Sequence, residues 1–359
     1  MDKNEILVIY GSSPFEMAVK IAEAAALAEL IGDRKKLIGL KPNLVMASPA
    51  ENGATTHPEI AAGLIAYLKK NGFSDIVILE GAWTGGSTVD AFSICGYKTL
   101  AQKTAVKLVD TKTDSFQKID CGGMTTEICR TALALDFVIN LPVLKGHCQT
   151  LLTCALKNNK GVISDREKRR FHSLGLHKPI ALLNTKVRSD FIVVDGICGD
   201  PDFEEGGNPV YGGRIFAARD PVLCDAWAAS LMGYRIEDIP YIGLSEKLGV
   251  GVCGKAKIRE LNKNSDAPPP PKPTGKAKQL SGKIKENSAC SACYAGLIFA
   301  LLRLDRAKRE RISEVCIGQG FRGKKGVLGV GACTAGFSFS CPGCPPTGAE
   351  ILEFLKRGK

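Results

Sequence analysis

The sequence predicts an α/β fold, a mostly parallel sheet with flanking helices, followed by a small C-terminal α/β domain. Three observations carry this. Over the first 250 residues, short apolar β-rich runs alternate with longer helical patterns, as expected of βαβ units. Near residue 265 the composition turns abruptly to Pro268–Pro271, Pro273 and a Lys- and Gly-rich run ending at Lys285, a stiff tether. Beyond the tether, six of the 14 cysteines fall within 55 residues. The expected division is therefore 1–262, 263–286 and 287–359.

In chain order, β-branched and aromatic runs predict strands at Ile6–Tyr10, Leu37–Leu40, Ile76–Leu79, Phe137–Leu141, Phe191–Val194 and Ile215–Ala218. Helical spacing predicts helices at Pro14–Leu30, Pro58–Lys70, Thr126–Leu133, Pro179–Val187 and Pro221–Leu231. Pro58 and Pro221 suit a first helical position, where the missing N–H is not needed. After the tether, an apolar helix (Tyr294–Leu304), two short strands (Glu314–Ile317 and Gly326–Val330) and a last helix (Ala349–Lys356) complete the small domain. About 75 residues make a thin core, which a bound metal would help to stabilise.

A composition of 45% apolar and 24% charged residues is that of a folded globular chain. The apolar stretch Ile21–Ile31 is interrupted by Glu23 and Glu29, so no membrane span is expected, and no cleavable leader pattern opens the chain. The expected location is the cytoplasm. The net charge of +11 is concentrated beyond residue 254, where 20 Lys and Arg face 8 Asp and Glu, against 28 and 29 before it. Such a basic end attracts an acidic redox partner or a small anionic ligand. Nucleic acid is disfavoured, because aromatic residues do not interleave the lysines.

Fourteen cysteines in a reducing compartment point to metal rather than to disulfides. Cys290-Ser291-Ala292-Cys293 brings two thiolates to one site, Cys333 follows Gly331-Ala332, and Cys341-Pro342-Gly343-Cys344-Pro345-Pro346 adds proline-restrained loop ligands. The series CSAC, GACTAG and PGCPPTGAEILEFL resembles the cluster-binding module of nickel-iron hydrogenase small subunits and of the related NADH:quinone oxidoreductase subunit. That resemblance implies one 4Fe-4S cluster on Cys290, Cys293, Cys333 and Cys344. Cys341 is the alternate to Cys344, because the interval before it is shorter than in those relatives. Zinc is the alternative metal, and Cys316 reads as a buried structural thiol.

In an open parallel sheet, ligands bind beyond the carboxyl ends of the strands. Lys41-Pro42-Asn43, Glu80-Gly81, Lys145-Gly146-His147 and Asp195-Gly196 fall there. Lys145, His147, Lys157, Asn158 and Lys160 gather cations, an imidazole and an amide suited to a carboxylate or phosphate. His147 and Lys145 are the expected catalytic pair, and His172 is the second histidine candidate, although its charged surroundings point to the surface. Lys41, Asn43, Lys157, Asn158, Lys160 and Asp195 are expected to hold a ligand. Glu80 and Asp225 are further carboxylates, and His57 is expected at a helix entry. The segments KPNLV, ATTHPEI, LPVLKGH, LKNNKGV, VVDGI and ARDPVLCDAWAASLMG resemble the domain of unknown function 362 family, which implies no particular chemistry. The expected function is an iron-sulfur redox protein that exchanges electrons with an anionic molecule. The alternatives are a lyase or isomerase using the cluster as a Lewis acid, and an electron carrier or assembly factor without catalysis.

Overall fold

The computed structural model describes residues 1–262 and 267–357. Strands β1 (Glu5–Tyr10), β2 (Ile38–Pro42), β3 (Ile76–Glu80), β4 (Lys107–Asp110), β5 (Phe137–Leu141), β6 (Phe191–Gly199), β7 (Val210–Ala218) and β8 (Lys257–Glu260) form one sheet. Its order is β8-β1-β7-β6-β5-β2-β3-β4. Only β7 runs against its neighbours. The fold is thus α/β with a mostly parallel sheet.

The inner strands are largely apolar because both faces of the sheet are covered there. In β1, Leu7 and Ile9 join one buried cluster, while Ile6 and Val8 join the other. Helices α1 (Pro14–Ala24) and α2 (Pro58–Lys70) pack on the first face, and α3 (Pro221–Leu231) on the second. The helix expected over Pro14–Leu30 breaks at Ala26, whose φ of 51° is left-handed, and resumes at Leu27–Ile31. Leu27 and Ile31 stay buried across the break, which is why the apolar spacing hides it.

The helix expected over Thr126–Leu133 is strand over its first half. Thr125–Cys129 pairs antiparallel with Phe116–Asp120, leaving helix only at Arg130–Ala134. Two threonines and Ile128 favour the extended form, and the hairpin partner decides the matter. The expected loop at Lys145-Gly146-His147 is likewise a short strand, paired with Leu151–Thr153.

Strands β9 (Ile284–Glu286), β10 (Val315–Ile317), β11 (Leu328–Val330) and β12 (Phe339–Cys341) make a second, wholly parallel sheet in chain order. Helices α4 (Ser291–Arg303) and α5 (Gly348–Arg357) bury Leu297, Ile298, Leu301 and Ile351 against Val315, Ile317 and Val330. Phe203, from the loop after β6, enters this same cluster. The apolar core therefore runs across the junction of the two lobes.

Within the segment expected as a tether, residues 263–266 lie outside the described residues. The rest is anchored. Arg214 donates to the Pro268 carbonyl, and Thr274 donates to Asp202 from its amide at 2.9 Å and its hydroxyl at 2.7 Å. Helix Lys276–Ser281 follows, and the segment ends in β9. Among the described residues no helix is long and apolar enough to cross a membrane.

Candidate functional site

In the large sheet the chain runs outward from β2 through β3 to β4 on one side, and from β5 through β6 to β7 on the other. The reversal falls between β2 and β5, the point at which an open sheet leaves a crevice at its carboxyl edge. A cavity of about 90 Å³ lies at this edge. Its wall is built from segments that follow four strands: Asn43 and Val45 after β2, Glu80 to Thr84 at and after β3, Lys145 to Lys160 after β5, and Glu204 after β6. Lys168 and His172 reach in from helix Asp165–Ser173. Cys290, Ser291 and Ala292 close it from the small lobe, at the start of α4. With each water needing roughly 10–15 Å³ of such space, the cavity suits a few waters or a small anion.

Four lysines and two glutamates line this cavity, an excess of positive charge. Most of these charges are engaged with one another. Lys157 Nζ lies 3.0 Å from Glu204 Oε2. Lys168 Nζ donates to the Gly81 and Ala82 carbonyls at 3.1 and 2.7 Å. Lys145 Nζ donates to Asn43 Oδ1 at 3.1 Å, to the Glu204 carbonyl at 2.7 Å and to the Ala54 carbonyl. Three acceptors call for all three ammonium protons, while burial, with Lys157 adding to it, pulls the Lys145 pKa down to about 7. Lys160 Nζ differs. Among the described residues it has no hydrogen bond and no ion pair, and burial together with Lys157 lowers its pKa to about 7. It is the unpaired cation that an anion would meet first.

Behind the wall, Lys41 Nζ donates to Glu80 Oε2 at 3.0 Å, and that same oxygen accepts from the Leu44 amide at 3.1 Å. Glu80 Oε1 accepts from the Gly81 amide at 2.7 Å. A ladder of amides fixes β2 against β5: Asn43 Nδ2 donates to Asn158 Oδ1 at 3.0 Å, and Asn158 Nδ2 donates to Asn140 Oδ1 at 2.7 Å. Gly161 is required here, since a Cβ would stand 1.9 Å from Glu80 Oε1.

The structure thus brings Asn43, Lys145, Lys157, Asn158 and Lys160 onto one wall and sets Lys41 just behind it. His147 and Asp195 are placed elsewhere. His147 Nδ1 accepts from the Gln149 and Thr150 amides at 3.0 and 3.1 Å, which puts the ring proton on Nε2. That atom is 2.9 Å from Glu204 Oε2, within ion-contact range though out of hydrogen-bond alignment. Burial outweighs Glu204 and lowers the His147 pKa to about 4. His147 is therefore a neutral prop behind Glu204, off the cavity wall. Asp195 is fully buried and engaged with His57, accepting from its amide at 2.8 Å and facing Nδ1 at 2.7 Å. The pair seats the entry to α2 and does not reach the cavity.

His172, expected at the surface, is half-buried on the wall. Its Nε2 is 3.4 Å from the Ser291 amide and hydroxyl, and its Nδ1 is buried without a partner. Burial, with Lys160 nearby, holds the ring pKa well below its ordinary value. Glu204 and Lys168 were not picked out from sequence. Glu204 precedes Gly206-Gly207, which looks like a turn, and Lys168 sits in the strongly charged run DREKRR, whose two buried members, Glu167 and Lys168, cannot be told from the others by pattern.

A second cavity adjoins the first. Cys290, Cys293, Cys333 and Cys344 all line it, with Gly331, Gly343, Arg169 and Arg322. Every cysteine follows the carboxyl end of a small-sheet strand: Cys290 and Cys293 follow β9, Cys333 follows β11 and Cys344 follows β12. The two parallel sheets therefore face each other with their carboxyl edges. Gly331 and Gly343, with φ of 89° and 121°, let the backbone curl around the space in a way residues with side chains resist. Burial raises the Cys293 thiol to about 12, and the neighbouring cysteines add to the rise. Cys341 does not line this cavity and is buried in the core beneath it. Cys316 is half-buried on a different face of the small sheet.

Among the described residues, three ligand atoms lie within 4.8 Å of one another at Cys154, Cys224 and Asp225, all buried. The Asp225 carboxylate already accepts from the Ala155 and Leu156 amides at 2.8 and 3.3 Å, holding the start of the helix that carries Lys157 and Asn158.

Among known proteins, a thylakoid-associated protein of Synechocystis sp. is 24% identical over 263 residues, spanning 67% of this chain and 78% of that protein. The lactate racemase apoprotein of Thermoanaerobacterium thermosaccharolyticum has a TM-score of 0.41 at 15% identity, with 61% of this chain and 55% of that one covered. A Thermotoga maritima protein gives 0.40 at 14%, covering 66% and 60%. The chain thus spans little more than half the length of either solved protein, and neither likeness bears on its chemistry. The family described as Domain of unknown function (DUF362) matches residues 38–230, which include every strand of the large sheet except β1 and β8, and the chain belongs to that family.

Proposed function

We propose that this protein is an iron-sulfur redox protein in which Cys290, Cys293, Cys333 and Cys344 hold one 4Fe-4S cluster that exchanges electrons with a small anionic ligand in the lysine-lined cavity. The observation that carries this reading is the shared wall: Cys290, Ala292 and Thr84 line both cavities. A ligand beside Lys160 would therefore lie next to a cluster ligand.

The donor set fits the group. Four thiolates around one zinc at 2.3 Å would sit about 3.8 Å apart. Among the described residues no three of these four sulfurs lie within 4.8 Å of one another, a spacing that favours a group wider than a single ion. The order CSAC, GACTAG, GCPP supports the cluster through its resemblance to the hydrogenase module. Four ligands rather than three argue for electron transfer over Lewis-acid catalysis, which needs an open iron position. When bound, the cluster supplies single electrons at a potential set by its surroundings.

The chain's own residues do the remaining work. Lys160 meets the ligand's negative charge, while Lys157 and Lys168 hold the wall through Glu204 and the Gly81–Ala82 carbonyls. His172 offers Nδ1–H as a donor, because its Nε2 faces the Ser291 amide. Arg322 and Arg169 lie beside the cysteines and favour the more negative reduced state. An acidic electron carrier is the expected partner for the basic lobe, and the cytoplasm is the compartment that keeps fourteen free thiols reduced.

Anaerobic purification with iron and sulfide counts and a visible spectrum tests the reading. About four irons and four sulfides per chain are expected, with absorbance bleached by dithionite. A colourless protein carrying one zinc overturns it.

A further inference from the structure

The small-sheet strands carry the cysteines at their carboxyl ends. At their amino ends, across strands of three residues or about 10 Å, a different feature opens. It is a groove of about 820 Å³. Lys285, Lys308, Arg311, Lys324, Lys325 and Arg357 line it, against the single carboxylate of Glu314. Lys285 lies 3.3 Å from Glu314, which accounts for that acid. Lys308 donates to the Lys356 carbonyl, and Lys324 lies over the Phe321 ring. Among the described residues Arg311 and Lys325 have no ion-pair partner.

The groove is also apolar in places. Val327 is 72% exposed and Phe339 43%. A solvated basic face explains the lysines but not large apolar side chains exposed between them. Crowded like charges repel one another, and an oppositely charged occupant relieves that repulsion. A chain segment bearing both carboxylates and apolar side chains matches both features, and the concave shape fits a segment better than a flat bilayer.

We propose that this groove docks an acidic segment of a partner protein, with carboxylates at Arg311, Lys324 and Lys325 and an apolar side chain seated at Val327 and Phe339. The assignment is independent of what the cysteines hold.

Fluorescence anisotropy on the full chain, with a fluorescein-labelled peptide of alternating Glu and Leu, tests it. Saturable binding is expected, weakened about tenfold or more by raised salt or by the double reversal Lys324→Glu, Lys325→Glu. Both lysines are exposed, so the thermal melt of that variant should match the parent. Val327→Ser should weaken binding with every charge retained. Peptide that does not bind, or binds equally to all variants, overturns the proposal. So does tighter binding of a single-stranded RNA oligonucleotide, or of phosphatidylglycerol vesicles, that the lysine reversal abolishes.

Discussion

The eight-stranded sheet is packed on both faces by its own helices, with separate apolar clusters above and below. The four-stranded sheet has strands of three residues and one apolar cluster, which borrows Phe203 from the larger lobe. The larger lobe can therefore stabilise itself by burial alone, and its carboxyl edge is free to hold charges in a network. The smaller lobe has the smaller apolar cluster, and its carboxyl edge carries thiols that a metal would tie together. On the proposed reading, the two sheets divide the work at their carboxyl edges, one holding a ligand by charge and the other holding metal by sulfur.

The largest effect should come from Cys290→Ser or Cys293→Ser. Iron content and visible absorbance should be lost, and hydrogen exchange should speed up in β10 and β11 while β2 and β5 stay protected. If exchange rises equally in both sheets, the lobes are one cooperative unit and the contrast fails. Next, Lys160→Ala should weaken binding of a small anion, with inorganic phosphate and malonate as probes in calorimetry, by about 10- to 100-fold, the worth of a charge-assisted hydrogen bond. The cluster spectrum should not change. A variant that binds both probes as well as the parent moves the ligand site elsewhere.

A third effect is confined to the larger lobe. Burial lowers the His57 pKa, but Asp195 at 2.7 Å outweighs it and raises the pKa from 6.5 to about 8. The pair's contribution is fully present below pH 6.5 and is lost as pH rises through 8, about 2 kcal/mol in all. Urea titrations of the parent should show that decline, and His57→Gln should flatten it. The smallest effect expected is from Gly85→Ala. Gly85 has φ of 88°, and a Cβ would stand 2.4 Å from Pro345 Cδ, so about 1–2 kcal/mol of stability should be lost at the contact between the lobes. Differential scanning calorimetry would register this as a lowered Tm for the small lobe's transition.

Much of the frame was legible. The continuous apolar runs of β1, β3 and β5 are those of strands buried on both faces, and the segment Lys41-Pro42-Asn43, at the end of β2, lies where a parallel sheet opens. Hidden features share a cause. The left-handed Ala26 leaves the apolar spacing intact, and the hairpin at Thr125–Cys129 depends on a partner strand. His172 sits among charges that, read along the chain, look like a solvated face.

The amino-acid sequence by itself determined the α/β alternation, the basic cysteine-bearing end and the supply of lysines and amides after β5, because periodicity, composition and short spacings are local properties. The tertiary structure alone decided which side chains act together. Asp195 is committed to His57, 138 positions away, and Glu204 draws in both Lys157 and His147. Lys160 is left without an ion pair among the described residues, and Cys290 meets the lysine-lined cavity. Burial and pairing set the charge and reach of each group, and both depend on partners that only folding brings near.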